Sequence, residues 1–223
     1  MTSALEIHDL HFRRPDGFSL RIPELVLDPG ERILVSGPSG CGKSTLLLLA
    51  AGLLDAEHGR ILVGGEDLTR LGSAACDALR ARRIGMVFQT HHLLPGFTAR
   101  ENVSLALLFA GVPAREHGER AGRLLSSLGI DRPDARVDRQ SVGQQQRVAI
   151  ARALAAEPDI ILADEPTASL DPTNARSAVD LLQKSCEEHG TALLLTSHDP
   201  DLSDLLPRSV DFDDLLLAVE ATS

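Results

Sequence analysis

Aromatic residues are scarce: the 223-residue chain has six Phe, no Tyr and no Trp. A site that stacks a flat ring on an aromatic side chain therefore has few places to be built. Basic charge is also short, with 22 Lys and Arg against 32 Asp and Glu and a net charge of −10. That balance argues against a nucleic-acid binder, which needs a basic footprint. It also argues against direct lipid adsorption, so any membrane association is expected to run through a protein partner. Apolar runs are brief. The longest, residues 46–54, is far below the ~18 residues that span a bilayer. The opening MTSALEIHDLHFRR has no signal-peptide core. Cys41, Cys76 and Cys186 form no even disulfide framework, and a reducing cytoplasm is the simpler expectation.

What is present is an ordinary globular composition, 43% hydrophobic and 24% charged. The length suits one α/β domain with an inserted subdomain. Two alternating runs, residues 5–8 and 18–22, flank the turn Pro15-Asp16-Gly17 and predict short strands. Buried strands are expected over 32–36, 60–63, 84–88, 160–163 and 191–196. Helices are expected over 43–52, 73–83, 101–111, 115–128, 143–156 and 173–189. Strands alternating with helices imply a mostly parallel sheet with right-handed crossovers. Residues 1–89 and 141–223 are expected to form the core, with an antiparallel β subdomain at the start; residues 90–140 form a helical subdomain.

Gly37-Pro38-Ser39-Gly40-Cys41-Gly42-Lys43-Ser44-Thr45 fits G-x-x-x-x-G-K-[ST] between a predicted strand and a predicted helix. Glycines let successive N–H groups wrap phosphate oxygens, and the helix N-terminus adds a favourable dipole. Lys43 is expected on the β- and γ-phosphates and Ser44 on Mg²⁺. Cys41 is read as a small filler, with a reactive thiol as the alternative.

The strand at 160–163 runs into Asp164-Glu165. Ligands sit at the carboxyl ends of strands in open α/β sheets. Asp164 suits Mg²⁺, and Glu165 suits polarising an attacking water. Gln89 and His198 also end predicted strands. Gln89 suits Mg²⁺ or the water; His198 suits the γ-phosphate and the orientation of Glu165. Each alone would be an ordinary polar or structural residue.

The phosphate loop, Gln89, SVGQQQR, ILADE, Ser169-Leu170-Asp171 and His198 together resemble, in order and spacing, the ATPase subunits of ABC transporters. The stretch 71–103 is most similar to the lipoprotein-release and macrolide-export ATPases. The resemblance covers essentially the whole chain and implies a P-loop NTPase fold, with ATP and Mg²⁺ as ligands. It also implies a head-to-tail homodimer in which Ser141, Gly143 and Gln144 of one copy face the ATP of the other, with Asp171 crossing the interface. An integral-membrane permease is the implied partner, reached at the cytoplasmic face of the inner membrane, and export is the implied direction. Leu93, Leu94 and Phe97 either line a groove for a permease helix or pack the helical subdomain. His91-His92 reads as surface.

Three positions depart from the family pattern: Gln140 replaces an apolar anchor, Val142 replaces a glycine, and Arg14 replaces an aromatic. The signature, usually LSGGQ, is here Gln140-Ser141-Val142-Gly143-Gln144. A β-branched Val142 resists positive φ and crowds close backbone approach. Arg14 falls where an adenine-stacking aromatic is expected, with Phe12 and Phe18 as alternatives; weak preference for ATP over GTP follows. The altered signature keeps a second reading open, a nucleotide-gated regulatory subunit that hydrolyses slowly. A soluble P-loop kinase leaves SVGQQQR and His198 unexplained.

Overall fold

The computed structural model describes residues 2–168 and 171–217. The chain opens with β1 (Leu5–Arg13), β2 (Ser19–Leu27) and β3 (Arg32–Ser36), then α1 (Lys43–Ala50), β4 (His58–Val63), β5 (Glu66–Asp67), α2 (Ser73–Arg83) and β6 (Ile84–Phe88). A helical stretch follows: α3 (Ala99–Phe109), α4 (Ala114–Ser127) and α5 (Val142–Leu154). The chain then returns to β7 (Ile160–Asp164), α6 (Pro172–His189), β8 (Ala192–Ser197), β9 (Arg208–Asp211) and α7 (Phe212–Leu217).

Among the described residues these strands make two sheets. One has the order β2-β1-β4-β5, with antiparallel pairing throughout. The other has the order β6-β7-β8-β3-β9, all parallel. The expected α/β P-loop architecture is therefore present. The N-terminal strands run longer than the alternating segments predict, and β5, β9 and α7 were not anticipated. β9 reads RSVD, too polar and short to signal a strand by pattern alone.

The parallel sheet is buried on both faces, and its strands alternate between two cores. Ile33, Val35, Ile160, Leu162, Ala192 and Leu194 face the cluster shared with α1 and the antiparallel sheet. Leu34, Ile161, Ala163, Leu193 and Leu195 face the cluster built with α3, α4, α5 and α6. A one-residue slip in any of these strands would exchange the two sets.

Helix boundaries follow local chemistry. α3 begins at a capping box in which the Thr98 hydroxyl accepts from the Glu101 amide and the Glu101 carboxylate accepts from the Thr98 amide. α6 begins at Asp171 with Pro172 just inside, and ends at Gly190 in the left-handed region.

Candidate active site

The register of the parallel sheet lines up the site. Val35 pairs with Thr196, Thr196 with Asp164, and Asp164 with Phe88. The residues just beyond this row leave the carboxyl edge together: Ser36-Gly37, Ser197-His198, Glu165 and Gln89. Four sequence-predicted positions from distant parts of the chain thus meet because their strands end at the same level.

The phosphate loop spans Gly37 to Gly42, and α1 starts at Lys43. Gly42 holds φ 124°, and a Cβ there would lie 2.9 Å from Phe18 Cζ and 3.1 Å from Phe212 Cζ. Glycine is required on both counts. Lys43 is only 4% exposed. Its ammonium donates to the carbonyls of Gly37 at 2.7 Å and Pro38 at 2.9 Å, and lies 3.4 Å from Glu165 Oε1. A buried ammonium needs such partners. Pro38, Ser39 and Gly40 are exposed at the tip, and Cys41 is half-buried, packed on the core. Thr45 is buried one residue after the exposed Ser44.

Ser44 Oγ donates to Asp164 Oδ1 at 3.0 Å, and Thr196 Oγ1 donates to the same oxygen at 2.9 Å. A hydroxyl and a carboxylate oxygen at the mouth of a phosphate loop are hard donors that fit Mg²⁺, which takes few protein ligands and keeps water and phosphate for the rest. Thr196 escaped the sequence reading. It follows four apolar residues in ALLLTS, and a hydroxyl at that point, just before Ser197, was its one signal.

Glu165 sits at φ 43°, unusual for a residue with a side chain. Its amide donates to the Thr196 carbonyl at 3.1 Å, which pins the turn. The kink turns the carboxylate sideways, between Lys43 and His198. His198 Nδ1 lies 2.5 Å from Glu165 Oε2. Strain held in place by surrounding contacts is common where chemistry occurs. Gln89 is exposed beside this cluster and makes no hydrogen bond among the described residues.

The signature segment opens α5. Ser141 is its N-cap: its hydroxyl accepts from the Gln144 amide at 3.3 Å, and its own amide donates to Gln144 Oε1 at 3.0 Å. Val142 is the first helical residue, 53% exposed, and its φ is not positive. The expected conflict between a β-branched side chain and positive φ therefore does not arise. A Cβ on Gly143 would meet nothing within 4 Å, so this turn faces open space. Gln140 is different. Its Oε1 is buried and has no hydrogen-bond partner. Behind the signature, buried Gln146 donates to the Pro166 carbonyl at 3.2 Å, tying α5 to the turn after Glu165. Sequence reasoning missed that link.

Asp171 caps α6, accepting from the Asn174 amide at 3.2 Å. Ser169 and Leu170 lie outside the described residues. Lys43, Glu165 and His198 thus form one bonded group and Ser44 and Asp164 another, and Thr196 links them, its Oγ1 donating to Asp164 and accepting from the Glu165 amide at 3.4 Å. Ser141 and Gln144 close on their own turn instead.

Two expectations need correction. Phe12 is 7% exposed and belongs to the core, so it cannot stack on a base. The Arg14 guanidinium instead lies 4.6 Å over the Phe18 ring, and Phe18 abuts the phosphate loop. His91 is not surface: it is 7% exposed, and its Nε2 has no partner. Burial and the Arg152 charge hold its pKa below the usual imidazole value. Leu93 packs half-buried on the second core, while Leu94 and Phe97 stay 44% and 42% exposed. Leu93 lines a small pocket with His91, Pro95 and Gln145, and a separate groove nearby is lined by Met86, Phe88, Ala106, Phe109 and Arg152.

The ABC transporter family model matches residues 20–168. A lipoprotein-releasing system ATP-binding protein, LolD 1, of Rhodopseudomonas palustris is 44% identical over 190 residues, covering 84% of each chain. An uncharacterized ABC transporter ATP-binding protein of Thermotoga maritima is 46% identical over 176 residues, covering 78% of this chain and 75% of the other. Among solved structures, the dimeric post-hydrolysis state of the ATP-binding cassette MJ0796 with ADP and Pi superposes with a TM-score of 0.77 at 31% identity, covering 93% of both chains. CbiO1 from Clostridium perfringens, part of the ABC transporter complex cbiONQ, gives 0.81 at 31% identity, covering 92% of this chain and 82% of that one. With its phosphate loop, Asp164-Glu165 and His198 at one sheet edge, the chain belongs to the ABC transporter family and is an ATP-binding cassette ATPase.

Proposed function

We propose that two copies of this chain close head to tail on ATP and that hydrolysis drives a separate membrane permease. The observation that carries this reading is the placement of Glu165 between His198 and Lys43 beside the phosphate loop.

ATP would lie with its phosphates over the loop from Gly37 to Gly42, whose amides and glycines leave room for it. Lys43 would turn from its two loop carbonyls to the β- and γ-phosphates. Ser44 and Asp164 would hold Mg²⁺, which supplies charge neutralisation on the phosphates when bound. Glu165 would accept a proton from water as its oxygen attacks the γ-phosphorus, giving ADP and phosphate. His198 would hold Glu165 in place and donate to the γ-phosphate; Gln89 would meet the water or the ion from the next strand. Arg14, stacked on Phe18, would carry the base on its guanidinium face.

Closure would bring Ser141, Gly143 and Gln144 of one copy to the γ-phosphate held by the other, at a helix N-terminus suited to anions. The open space around Gly143 supports this. Asp171 would then lie at the dimer interface. Among the described residues no helix is long and apolar enough to cross a membrane, which supports attachment through a permease. The exposed Leu108 and Phe109 beside the groove supply an apolar contact for it. LolD-type relatives favour lipoprotein or lipid release at the cytoplasmic face of the inner membrane.

A second reading, a nucleotide-gated regulatory subunit that turns over slowly, draws support from the orphaned Gln140 oxygen and the exposed Val142 in the signature. Steady-state ATPase rates of the wild type and Glu165→Gln, each with and without the membrane partner, separate the two. Permease-stimulated turnover abolished by Glu165→Gln supports the motor; turnover in the wild type no higher than in Glu165→Gln supports the regulator.

A further inference from the structure

The outer face of the antiparallel sheet carries a pair of histidines that the nucleotide site does not use. His11 on β1 and His58 at the start of β4 stand opposite one another in register. Their rings meet edge to face, with centroids 6.1 Å apart and planes at 75°. His11 is half-buried and His58 is exposed. Neither imidazole makes a hydrogen bond or an ion pair among the described residues. His8, on the same face, is already engaged, 3.1 Å from Glu6 and 3.7 Å from Glu24.

A β-bulge creates the pair. Strict alternation from buried Leu5 and Ile7 would send Asp9 and His11 inward. Instead the register steps from His8 opposite Arg60 to His11 opposite His58, so Asp9 and Leu10 both face Gly59. Asp9 takes φ 48° and Gly59 φ 99°, and a Cβ on Gly59 would lie 2.5 Å from the Asp9 carbonyl oxygen. The extra residue buries Leu10 and Phe12 and turns His11 out beside His58. Bulges are a recurrent way of re-aiming a side chain.

Side chains directly opposite in an antiparallel pair are close enough to share a ligand. With ~2.0–2.1 Å to a nitrogen of each ring, one metal ion fits between two imidazoles at this spacing. Among the described residues no third His, Cys, Asp or Glu joins them, and water takes the other positions. Arg21 is the register partner of His11 on β2. A cation here is therefore held by bonds to nitrogen, not by surrounding negative charge. We propose that His11 and His58 chelate a late first-row divalent ion and so clamp β1 to β4. Cu²⁺ binds most tightly, ahead of Ni²⁺ and Zn²⁺; Mg²⁺ and Ca²⁺, which take oxygen ligands, do not bind.

The test is a Cu²⁺ titration of nucleotide-free full-length protein with its accessible thiols blocked, followed by electron paramagnetic resonance. The wild type is expected to bind one ion with hyperfine coupling to two imidazole nitrogens. His11→Gln and His58→Gln each weaken binding roughly tenfold or more, and the double variant is little worse than either, because the two rings act as one chelate. Cu²⁺ raises the thermal midpoint of the wild type and not of His58→Gln, while the metal-free midpoints agree, which controls for folding. His8→Gln binds as the wild type does. Single variants that bind like the wild type, or a signal from one nitrogen only, overturn the site. A loss in His8→Gln as large as that in His11→Gln places the ion on the Glu6, His8 and Glu24 group and overturns it equally.

Discussion

His198 Nδ1 and Glu165 Oε2 lie 2.5 Å apart at the ends of adjacent parallel strands. The pair exists because β7 and β8 end at the same level and because Glu165 takes a left-handed turn that swings its carboxylate toward β8. Glu165 is thus held by one neighbour and charged against another, Lys43, at 3.4 Å. If His198 positions Glu165, His198→Ala lowers kcat by about 10²-fold with a small change in KM, while Glu165→Gln lowers it by 10²-fold or more. A KM change without a kcat change in His198→Ala would assign His198 to binding alone.

Thr196 shares Asp164 Oδ1 with Ser44. Thr196→Val keeps the shape and deletes one donor to that carboxylate, a loss of about 1 kcal/mol. The expected result is a severalfold rise in the Mg²⁺ concentration needed for half-maximal ATPase, with unchanged nucleotide affinity in the absence of metal. Equal metal dependence in variant and wild type would mean that Thr196 only closes the sheet edge.

Gln140 stands where the family has an apolar anchor, and its amide oxygen is buried without a partner. Gln140→Leu removes a buried unsatisfied acceptor, whose burden is about 1–3 kcal/mol. Thermal unfolding should shift up by roughly 2–4 °C for each kcal/mol recovered in a chain of this size. A fall in Tm would show that the oxygen finds a donor.

Burial pushes the Cys186 thiol up to about 12. The folded state therefore holds this proton more tightly than the unfolded chain, whose thiol titrates near ~8.5. This contribution is complete below the unfolded value and is lost as pH rises through the window toward about 12. Denaturant midpoints measured from pH 8 upward should fall less steeply in Cys186→Val than in the wild type. Native protein should take maleimide on half-buried Cys41 before buried Cys186, and ATP should protect Cys41.

Much of the site was legible before any coordinates. The phosphate loop and Asp164-Glu165 stand out because their pattern is local: loop glycines, a helix start, a strand end. Gln89 and His198 needed the family pattern, since a lone polar residue at a strand end carries no signal. Thr196, Gln146 and the Gln140 oxygen stayed hidden because their meaning lies in tertiary partners, respectively Asp164, the Pro166 carbonyl, and none. Val142 misled for a related reason: its φ is set by the helix that starts at it, which sequence spacing placed one residue later. His91 looked like surface because histidine usually is, and only the packing of its loop against α5 buries it.

The central claim is closure of two copies on ATP held by this site. It is tested most directly by the mass of Glu165→Gln in sedimentation with Mg-ATP, Mg-ADP or no nucleotide, beside the double variant carrying Ser141→Arg. The account predicts a dimer with Mg-ATP only, lost when Ser141→Arg is added. A Glu165→Gln protein that stays monomeric at saturating Mg-ATP, or that dimerises equally with Ser141→Arg, would contradict it.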